Sequence, residues 1–439
     1  PVNATSIETL QTVFEASPSR AGWLQAVREQ ALRHFTASGF PTRREEAWKY
    51  TSLDPVADRS LRYFSTPQPA AGTLDTAALV ARAPRIHDAL RIVLLNGAVQ
   101  DLPAPLPSGL QLGRLPDIDD IRRQDLEQRL RDFEHAAVPS LAALNTAFLT
   151  DVLVVDVAAG HDIDCPLHIV SITGDRPAMI GQPRIMIRLG ANSHCCIIEH
   201  HISNGPTVSN TITQIDCGAG SRLEYIKVQN ESDDAYHLAA QQFELGPDAR
   251  LEATHLDLGA SLARNDLQVR LNGRSASAAL YGLFIADAHR HLDNHSNVEH
   301  CVGDTQCEEI YRGIVCDHGR GVFNGRILVH HGADGSNASL ENRNLLLDRT
   351  AEVDTKPELE IYTDDVKCSH GSTTGQLDAT AVFYLRSRGI PQDRARQMLT
   401  IAFAREVADC IPVAELREVI DRTIESRVGK DLSLESATP

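Results

Sequence analysis

The chain has 439 residues, 42% of them hydrophobic, with 59 acidic against 42 basic residues and a formal net charge of −17. That length can bury a large core, and the acidic balance without any Lys/Arg block removes the field that gathers phosphate backbones, so nucleic acid is not an expected partner. No apolar run approaches the roughly 20 residues of a membrane span, and the start Pro1-Val2-Asn3-Ala4-Thr5-Ser6 has neither a basic nor an apolar segment of secretory type, which predicts a soluble cytoplasmic protein without membrane contact.

Residues 6–53 read as helical. Leu24, Val27, Ala31 and Phe35 recur at spacings of three and four, Gly39-Phe40-Pro41 ends the pattern, and a short helix is predicted at Glu45-Glu46-Ala47-Trp48. Between 66 and 117 prolines cluster (Pro67, Pro69, Pro84, Pro103, Pro105, Pro107, Pro116) around one strand-like run, Arg91-Ile92-Val93-Leu94-Leu95. This stretch reads as a loop-rich connector carrying an isolated strand. Helical periodicity returns over 118–149 with Ile121, Leu126, Leu130 and Phe133, so residues 1–150 are expected to form an N-terminal helical domain with that connector.

The centre of the chain repeats. Gly160, Gly190, Gly218, Gly246, Gly273 and Gly303 follow one another at spacings of 30, 28, 28, 27 and 30 residues. Strand-like phrases come after several of them: Gly220-Ser221-Arg222-Leu223-Glu224-Tyr225, Asp248-Ala249-Arg250-Leu251-Glu252-Ala253, Ala279-Leu280-Tyr281-Gly282-Leu283 and Glu309-Ile310-Tyr311-Arg312-Gly313-Ile314. Alternating apolar and polar residues bury one face of each, so every repeat reads as one coil of a β-solenoid over 151–376, whose open face the next coil covers. A β-sandwich is the competing architecture, because hairpins recurring every 8–12 residues or so also generate such a period. Repetition of one turn with one strand phrase favours coils.

Helices resume at Leu377, and 377–439 is expected to be a C-terminal helical domain. After Pro391, the residues Ala395, Met398, Leu399, Ala402, Phe403, Val407 and Cys410 trace one predicted face, with Cys410 in the core. Pro412 opens a last helix with Val413, Leu416, Ile420 and Ile424 on one side, and the tail beyond Gly429 is expected to be disordered. This helical pair can cap the open end of the solenoid or present a groove to a partner.

The nine cysteines form no C-x-x-C pair, which speaks against a disulfide framework and against a four-thiolate metal site built by this chain alone. Free thiols in a reducing compartment fit best. The strongest candidate for chemistry is Tyr362-Thr363-Asp364-Asp365-Val366-Lys367-Cys368-Ser369-His370-Gly371. Cys368 and His370 lie at i and i+2 of an expected strand and share a face, a soft sulfur beside a borderline nitrogen, suited to iron, zinc or transferred sulfide. Parity predicts Leu359 and Ile361 pointing into the core and Glu360, Tyr362, Asp364, Cys368 and His370 pointing out, provided no bulge intervenes at Asp364-Asp365. An exposed thiol beside a protonated imidazole is favoured as thiolate. Two ligands leave a site open, so further ones are expected from another chain.

The other histidines, His194, His200, His201, His289, His291, His295, His300, His330 and His331, read as rim residues of a polar surface, although stacked coils can bring some together as metal ligands. Cys195 and Cys196 are adjacent and must diverge to opposite faces; Cys301, Cys307 and Cys316 lie too far apart in sequence to define a cluster. Gly429-Lys430 lacks the upstream glycine of a phosphate loop, and no G-x-S-x-G, H-E-x-x-H or dinucleotide fingerprint occurs, so the chain does not read as an ATPase, protease or dehydrogenase. Asp364-Asp365 suggests an intracellular carbohydrate-active β-helix enzyme as the alternative, but neighbouring strand residues diverge.

Several stretches carry a family resemblance: Arg44-Glu45-Glu46-Ala47-Trp48-Lys49-Tyr50-Thr51, Tyr311-Arg312-Gly313-Ile314, Phe323-Asn324-Gly325-Arg326-Ile327, Asn344-Leu345-Leu346-Leu347, Asp354-Thr355-Lys356-Pro357-Glu358-Leu359-Glu360-Ile361-Tyr362, the segment 364–371, and Phe383-Tyr384-Leu385-Arg386-Ser387-Arg388-Gly389-Ile390. On these residues the chain resembles the SufB/SufD family of the SUF iron–sulfur cluster assembly system, and its SufD branch. SufB-like chains carry a Cys shortly before the stretch matching Leu345-Leu346-Leu347 and a His-Glu pair where Ser369-His370 stands; here Glu341-Asn342-Arg343-Asn344 holds no Cys.

The resemblance implies a right-handed parallel β-helix between helical domains. It also implies a non-enzymatic scaffold subunit that pairs with a SufB-like paralogue and docks a SufC-like ATPase through its C-terminal helices. Cys368 and His370 would handle iron or a nascent cluster at a shared interface, with no cofactor held permanently by the isolated chain. Phe383, Tyr384, Arg388 and Gly389 are expected at a partner contact, and exposed strand edges predict a homodimer when the true partner is missing. A SufB-type cluster scaffold is the nearest alternative.

Overall fold

In the computed structural model, which describes residues 4–17, 22–65, 76–174 and 180–431, the centre of the chain winds through eight coils of two strands each. Every coil contributes one strand to each of two facing sheets. The first sheet runs from Asp162–Thr173 through His194–Ser203, Arg222–Gln229, Arg250–Asp257, Ser277–Ala286, Gln306–Val315 and Ser336–Leu346 to Val366–Gly375. The second runs from Leu153–Val157 through Arg184–Leu189, Val208–Cys217, Tyr236–Leu245, Leu262–Leu271, His291–His300 and Arg320–Val329 to Glu352–Ile361. All four strand phrases singled out in the sequence fall in the first sheet. Their neighbours pair in parallel, Arg222 with Arg250 and Arg250 with Ser277, which a hairpin-built sandwich cannot do. The molecule is a parallel β-solenoid flanked by helices at both ends of the chain.

The glycine period has a steric cause. The N–H groups of Gly190, Gly218 and Gly246 donate to the carbonyls of Val157, Leu189 and Cys217 one coil earlier at 2.8, 2.9 and 2.8 Å. A Cβ on Gly190 would meet the backbone nitrogen of Ala159 at 2.4 Å, so the close stacking of turns excludes a side chain there. Gly160 belongs to a second column two positions later, where Gly160, Asn192, Gly220 and Asp248 take φ of +72°, +55°, +66° and +57°. Asn and Asp tolerate that left-handed conformation better than other non-glycine residues, so this column is only half visible as glycine.

The N-terminal helices Gly22–Ser38 and Pro139–Ala147 pack together and, with Trp48 and Phe133, cover the outer face of the second sheet at Val208, Ile212, Leu238 and Leu262. The connector is not isolated. Leu90–Leu95 pairs in parallel with Asp162–Thr173, and Leu110–Arg114 pairs antiparallel with Leu153–Val157, so the connector shields both edges of the first coil. Pro67 and Pro69 lie outside the described residues, as does the side chain of Ile121.

The C-terminal helices do not cap the solenoid. Gln392–Ala408 and Ala414–Asp431 lie along the outer face of the first sheet, where Val407, Ile411, Leu416 and Ile420 pack with Ile226, Leu256, Leu283 and Ile314. Val413, Leu416, Ile420 and Ile424 form the buried side as predicted. In the preceding helix the stripe is rotated: Ala395, Thr400, Ala404, Val407 and Ala408 are buried, while Met398 is 39% exposed and Cys410 half-buried. Small residues let that helix approach the sheet closely, and contact distance rather than hydrophobicity selects its face. The helix continues past Gly429 to Asp431, and residues 432–439 lie outside the described residues. Among the described residues no helix is long and apolar enough to cross a membrane.

Candidate functional site

Cys368 and His370 sit on the last strand of the first sheet, paired in register with Ala338 and Leu340. Those two neighbours are 1% and 2% exposed members of the lumenal core, so Cys368 and His370 belong to the column that faces the lumen. The outward orientation predicted from parity is therefore incorrect for them. Leu359 does point inward and packs on that core, and Glu360 points outward to Arg326 at 2.8 Å, but the strand ends at Ile361 and a turn over 362–365 resets the alternation before Val366. The two residues do share a face, as i and i+2 require. His370 is exposed for a different reason: among the described residues no further coil stacks on this one.

Cys368 is half-buried against the core, and burial pushes its thiol up, opposed by a backbone hydrogen bond from Ala338. Among the described residues burial outweighs that bond, so the thiol form is favoured. The last coil is also the open edge of both sheets, since Glu352–Ile361 and Val366–Gly375 each have a strand neighbour on one side only. Beside it Ile361 is 40%, Tyr362 51%, Phe383 70% and Tyr384 57% exposed. The helix Ala379–Ser387 buries none of its residues. Arg388 stacks on Tyr384 at 5.2 Å from the ring centroid, and Gly389 ends the helix at φ +87°, which gives both a local structural role. A cavity of about 460 Å³ separates this helix from Leu346–Arg349 and Arg396.

Two family descriptions match the chain: "SufBD protein N-terminal region" over residues 10–169 and "SUF system FeS cluster assembly, SufBD core domain" over 171–403. The chain belongs to the SufBD family. It is 30% identical to the iron–sulfur cluster assembly protein SufD of Escherichia coli over 98% of both chains. It is 31% identical to an iron–sulfur cluster assembly SufBD family protein of Synechocystis, over 92% of this chain and 95% of that one. A chloroplastic protein of Arabidopsis thaliana, ABCI7, is 25% identical over 94% and 87%. The resemblance read from the motifs is thereby borne out, and a role in iron–sulfur cluster assembly follows from the family.

One SufBD motif turns out to be an anchor. Trp48 lies under the Arg264 guanidinium, 4.1 Å from the ring centroid, while Arg264 bonds the Ala47 carbonyl at 2.9 Å and Asp293 at 2.7 Å. The Thr51 hydroxyl donates to Asp293 as well. The motif 44–51 therefore locks the N-terminal domain onto the fifth and sixth coils.

The histidines divide. His289 stacks on His318 at the rim at 5.1 Å, as expected of His289, but His200, His201 and His300, expected on the rim, are buried, and so are His168, His237 and His255. His201 and His237 belong to a polar column inside the lumen that the sequence reading missed. Glu199 accepts bonds from Thr213 at 2.9 Å and Tyr225 at 2.5 Å and lies 2.8 Å from His201. Burial raises its pKa, but the His201 bond and charge, with Tyr225 and Lys227, prevail and hold it at about 2. Glu231 lies 2.8 Å from His237 Nδ1, whose Nε2 faces the buried Lys227 ammonium at 3.0 Å. Lysine can only donate, so His237 is the neutral tautomer with hydrogen on Nδ1, and burial and Lys227 together lower its pKa to about 4. Glu199 meets Tyr225 through the register of adjacent coils, whereas Glu231 and Lys227 meet His237 across the turn between consecutive strands. Cys195 faces the lumen and Cys196 the outer side, as predicted, and burial pushes the Cys196 thiol up to about 12.

Proposed function

We propose that this chain is the non-enzymatic SufD-type scaffold subunit of a SUF complex, presenting His370 and Cys368 to iron or a nascent cluster at an interface shared with a SufB-like paralogue. The observation that carries this reading is the uncovered last coil: a sulfur and a nitrogen ligand stand on an unpaired sheet edge beside exposed Ile361, Tyr362, Phe383 and Tyr384. Unpaired strand edges are templates for pairing, and two ligands from one strand leave ferrous iron or a cluster under-coordinated. A partner strand completes both at once. Cys368 loses its proton on binding and supplies the soft donor, while His370 supplies the imidazole. Without the paralogue the same edge pairs two copies, so the isolated chain is expected to be a homodimer in the cytoplasm.

The C-terminal helices dock a SufC-like ATPase through surface positions neighbouring Phe403, Val407, Leu416 and Ile420, a side that is itself committed to the first sheet. ATP turnover then belongs to that subunit and not to this chain. The decisive experiment is anaerobic reconstitution of the complex with His370→Ala or Cys368→Ala, measuring bound iron and sulfide together with complex assembly. Lost cluster content with intact assembly is expected; normal content in both variants would remove these residues from the chemistry. If removal of residues from 378 onward left ATPase binding intact, the docking assignment would be wrong.

A further inference from the structure

We infer that Glu299, Cys301 and His330 form a second metal site, for a divalent cation of borderline softness such as zinc, ferrous iron or cobalt(II). It lies on the outer side of the second sheet, on coils six and seven, and its argument is independent of the last coil. Glu299 and Cys301 stand at i and i+2, at the end of the strand His291–His300 and just past it, and so share a side. The register pairs His300 with Val329, and the His330 N–H donates to the His300 carbonyl at 3.1 Å, which brings His330 alongside Cys301 one coil later. The carboxylate, thiol and imidazole ligand atoms all fall within 4.8 Å of one another, and His330 Nε2 is 3.3 Å from Glu299 Oε2.

Those separations suit a single ion. With metal–sulfur near 2.3 Å and metal–nitrogen or metal–oxygen near 2.0–2.2 Å, tetrahedral ligands stand about 3.3–3.7 Å apart, so side-chain rotation closes the set without moving the backbone. The donor set of one sulfur, one nitrogen and one oxygen favours zinc, iron or cobalt over magnesium or calcium, which want oxygen alone. The carboxylate is already oriented: Asn297 Nδ2 donates to its Oε1 at 3.1 Å, and Arg270 lies 3.5 Å from Oε2. Arg270 is itself shared with Glu244 at 3.7 Å and hydrogen-bonds Cys301 as well, so one guanidinium divided among three groups does not cancel the charge of Glu244, Glu299 and a Cys301 thiolate. All three ligands are half-buried rather than sealed. Three protein ligands leave a fourth position open, the arrangement of an ion that can be exchanged rather than a structural ion.

The test is titration of the reduced full-length protein with cobalt(II) under anaerobic conditions, followed by absorption. Wild type is expected to take up one equivalent with a thiolate-to-cobalt charge-transfer band and tetrahedral d–d bands. The charge-transfer band should vanish in Cys301→Ser and persist in Cys368→Ser. His330→Gln and Glu299→Gln should each weaken binding by about tenfold or more, with circular dichroism and the thermal midpoint reporting folding. A band that survives in Cys301→Ser, or disappears only in Cys368→Ser, would overturn the site. His330 is 42% exposed, so its replacement spares the fold even if Cys301→Ser does not. Unchanged cobalt affinity in folded His330→Gln would refute the proposal on its own.

Discussion

Two pairs in this molecule share one geometry and have opposite states. Glu199 and His201 stand at i and i+2 on the lumenal face of the second coil; Cys368 and His370 stand at i and i+2 on the lumenal face of the eighth. The first pair is sealed by further coils, and its groups are met by Thr213, Tyr225 and each other within 2.9 Å. The second has a coil on one side only. The same spacing thus yields a buried ionic pair inside the stack and an uncovered Cys/His pair at its end. In a solenoid the position of a coil in the stack decides whether a polar pair is structural or available.

The largest expected effect comes from opening the sealed region. Lys227→Met removes a buried ammonium that faces Glu199, Glu231 and Asp257 and leaves these buried carboxylates less compensated, so unfolding in urea should show a loss of about 3 kcal/mol or more. A loss below about 1 kcal/mol would mean that the buried column is no more committed than a surface pair.

Acid should act on the same region next. Burial is the leading cause that lowers His168 and His255 to about 3 and His237 and His300 to about 4, from an ordinary 6.5. These bases take up protons more readily when unfolded, so their stabilisation is present above pH 6.5 and is lost as pH falls toward 4. Glu199 and Glu231, held at about 2 against an ordinary 4.5, add a further loss as pH falls from 4.5 toward 2. Glu309 has the opposite sign: burial raises it to about 7, and its contribution is present below pH 4.5 and lost as pH rises through 7. With His200 and His291 also lowered, the depressed histidines outnumber Glu309 and the other raised carboxylates, Asp151, Glu244 and Asp257, so protons should be taken up on unfolding near pH 5. Thermal midpoints measured from pH 7.5 to 5 should therefore fall; a flat or rising profile would contradict the buried neutral imidazoles.

The smallest stability effect is expected at the open end. Cys368→Ser and His370→Ala should shift unfolding by no more than about 0.5 kcal/mol. If either destabilised the chain as much as Lys227→Met, the last coil would be a structural lock like the second, and the contrast between the two regions would collapse.

Much of the fold was legible because its physics is local and repeated. The turns of Gly190 and Gly218 exclude a Cβ and that of Gly246 crowds one, each against the backbone one coil earlier, so the period survives in the sequence. The identity of the Cys368/His370 pair was legible too, since neighbours two apart on a strand need no tertiary information. Its direction was not, because the turn over 362–365 changes sheets and resets alternation. The connector looked isolated because its strands at 90–95 and 110–114 find partners far along the chain, at 162–173 and 153–157.

By itself, then, the sequence determined the coil period, the helical termini, the shared face of Cys368 and His370 and the family. The tertiary structure alone decided which polar residues meet and which coil stays open. Glu199 finds Tyr225, and Cys301 finds His330, only through the stacking register, while the C-terminal helices chose the flank of the first sheet over its end. The physical reason is the range of the forces involved. Steric and periodic constraints act between residues a few positions apart, whereas burial, ion pairing and metal-ligand convergence depend on where distant segments come to rest.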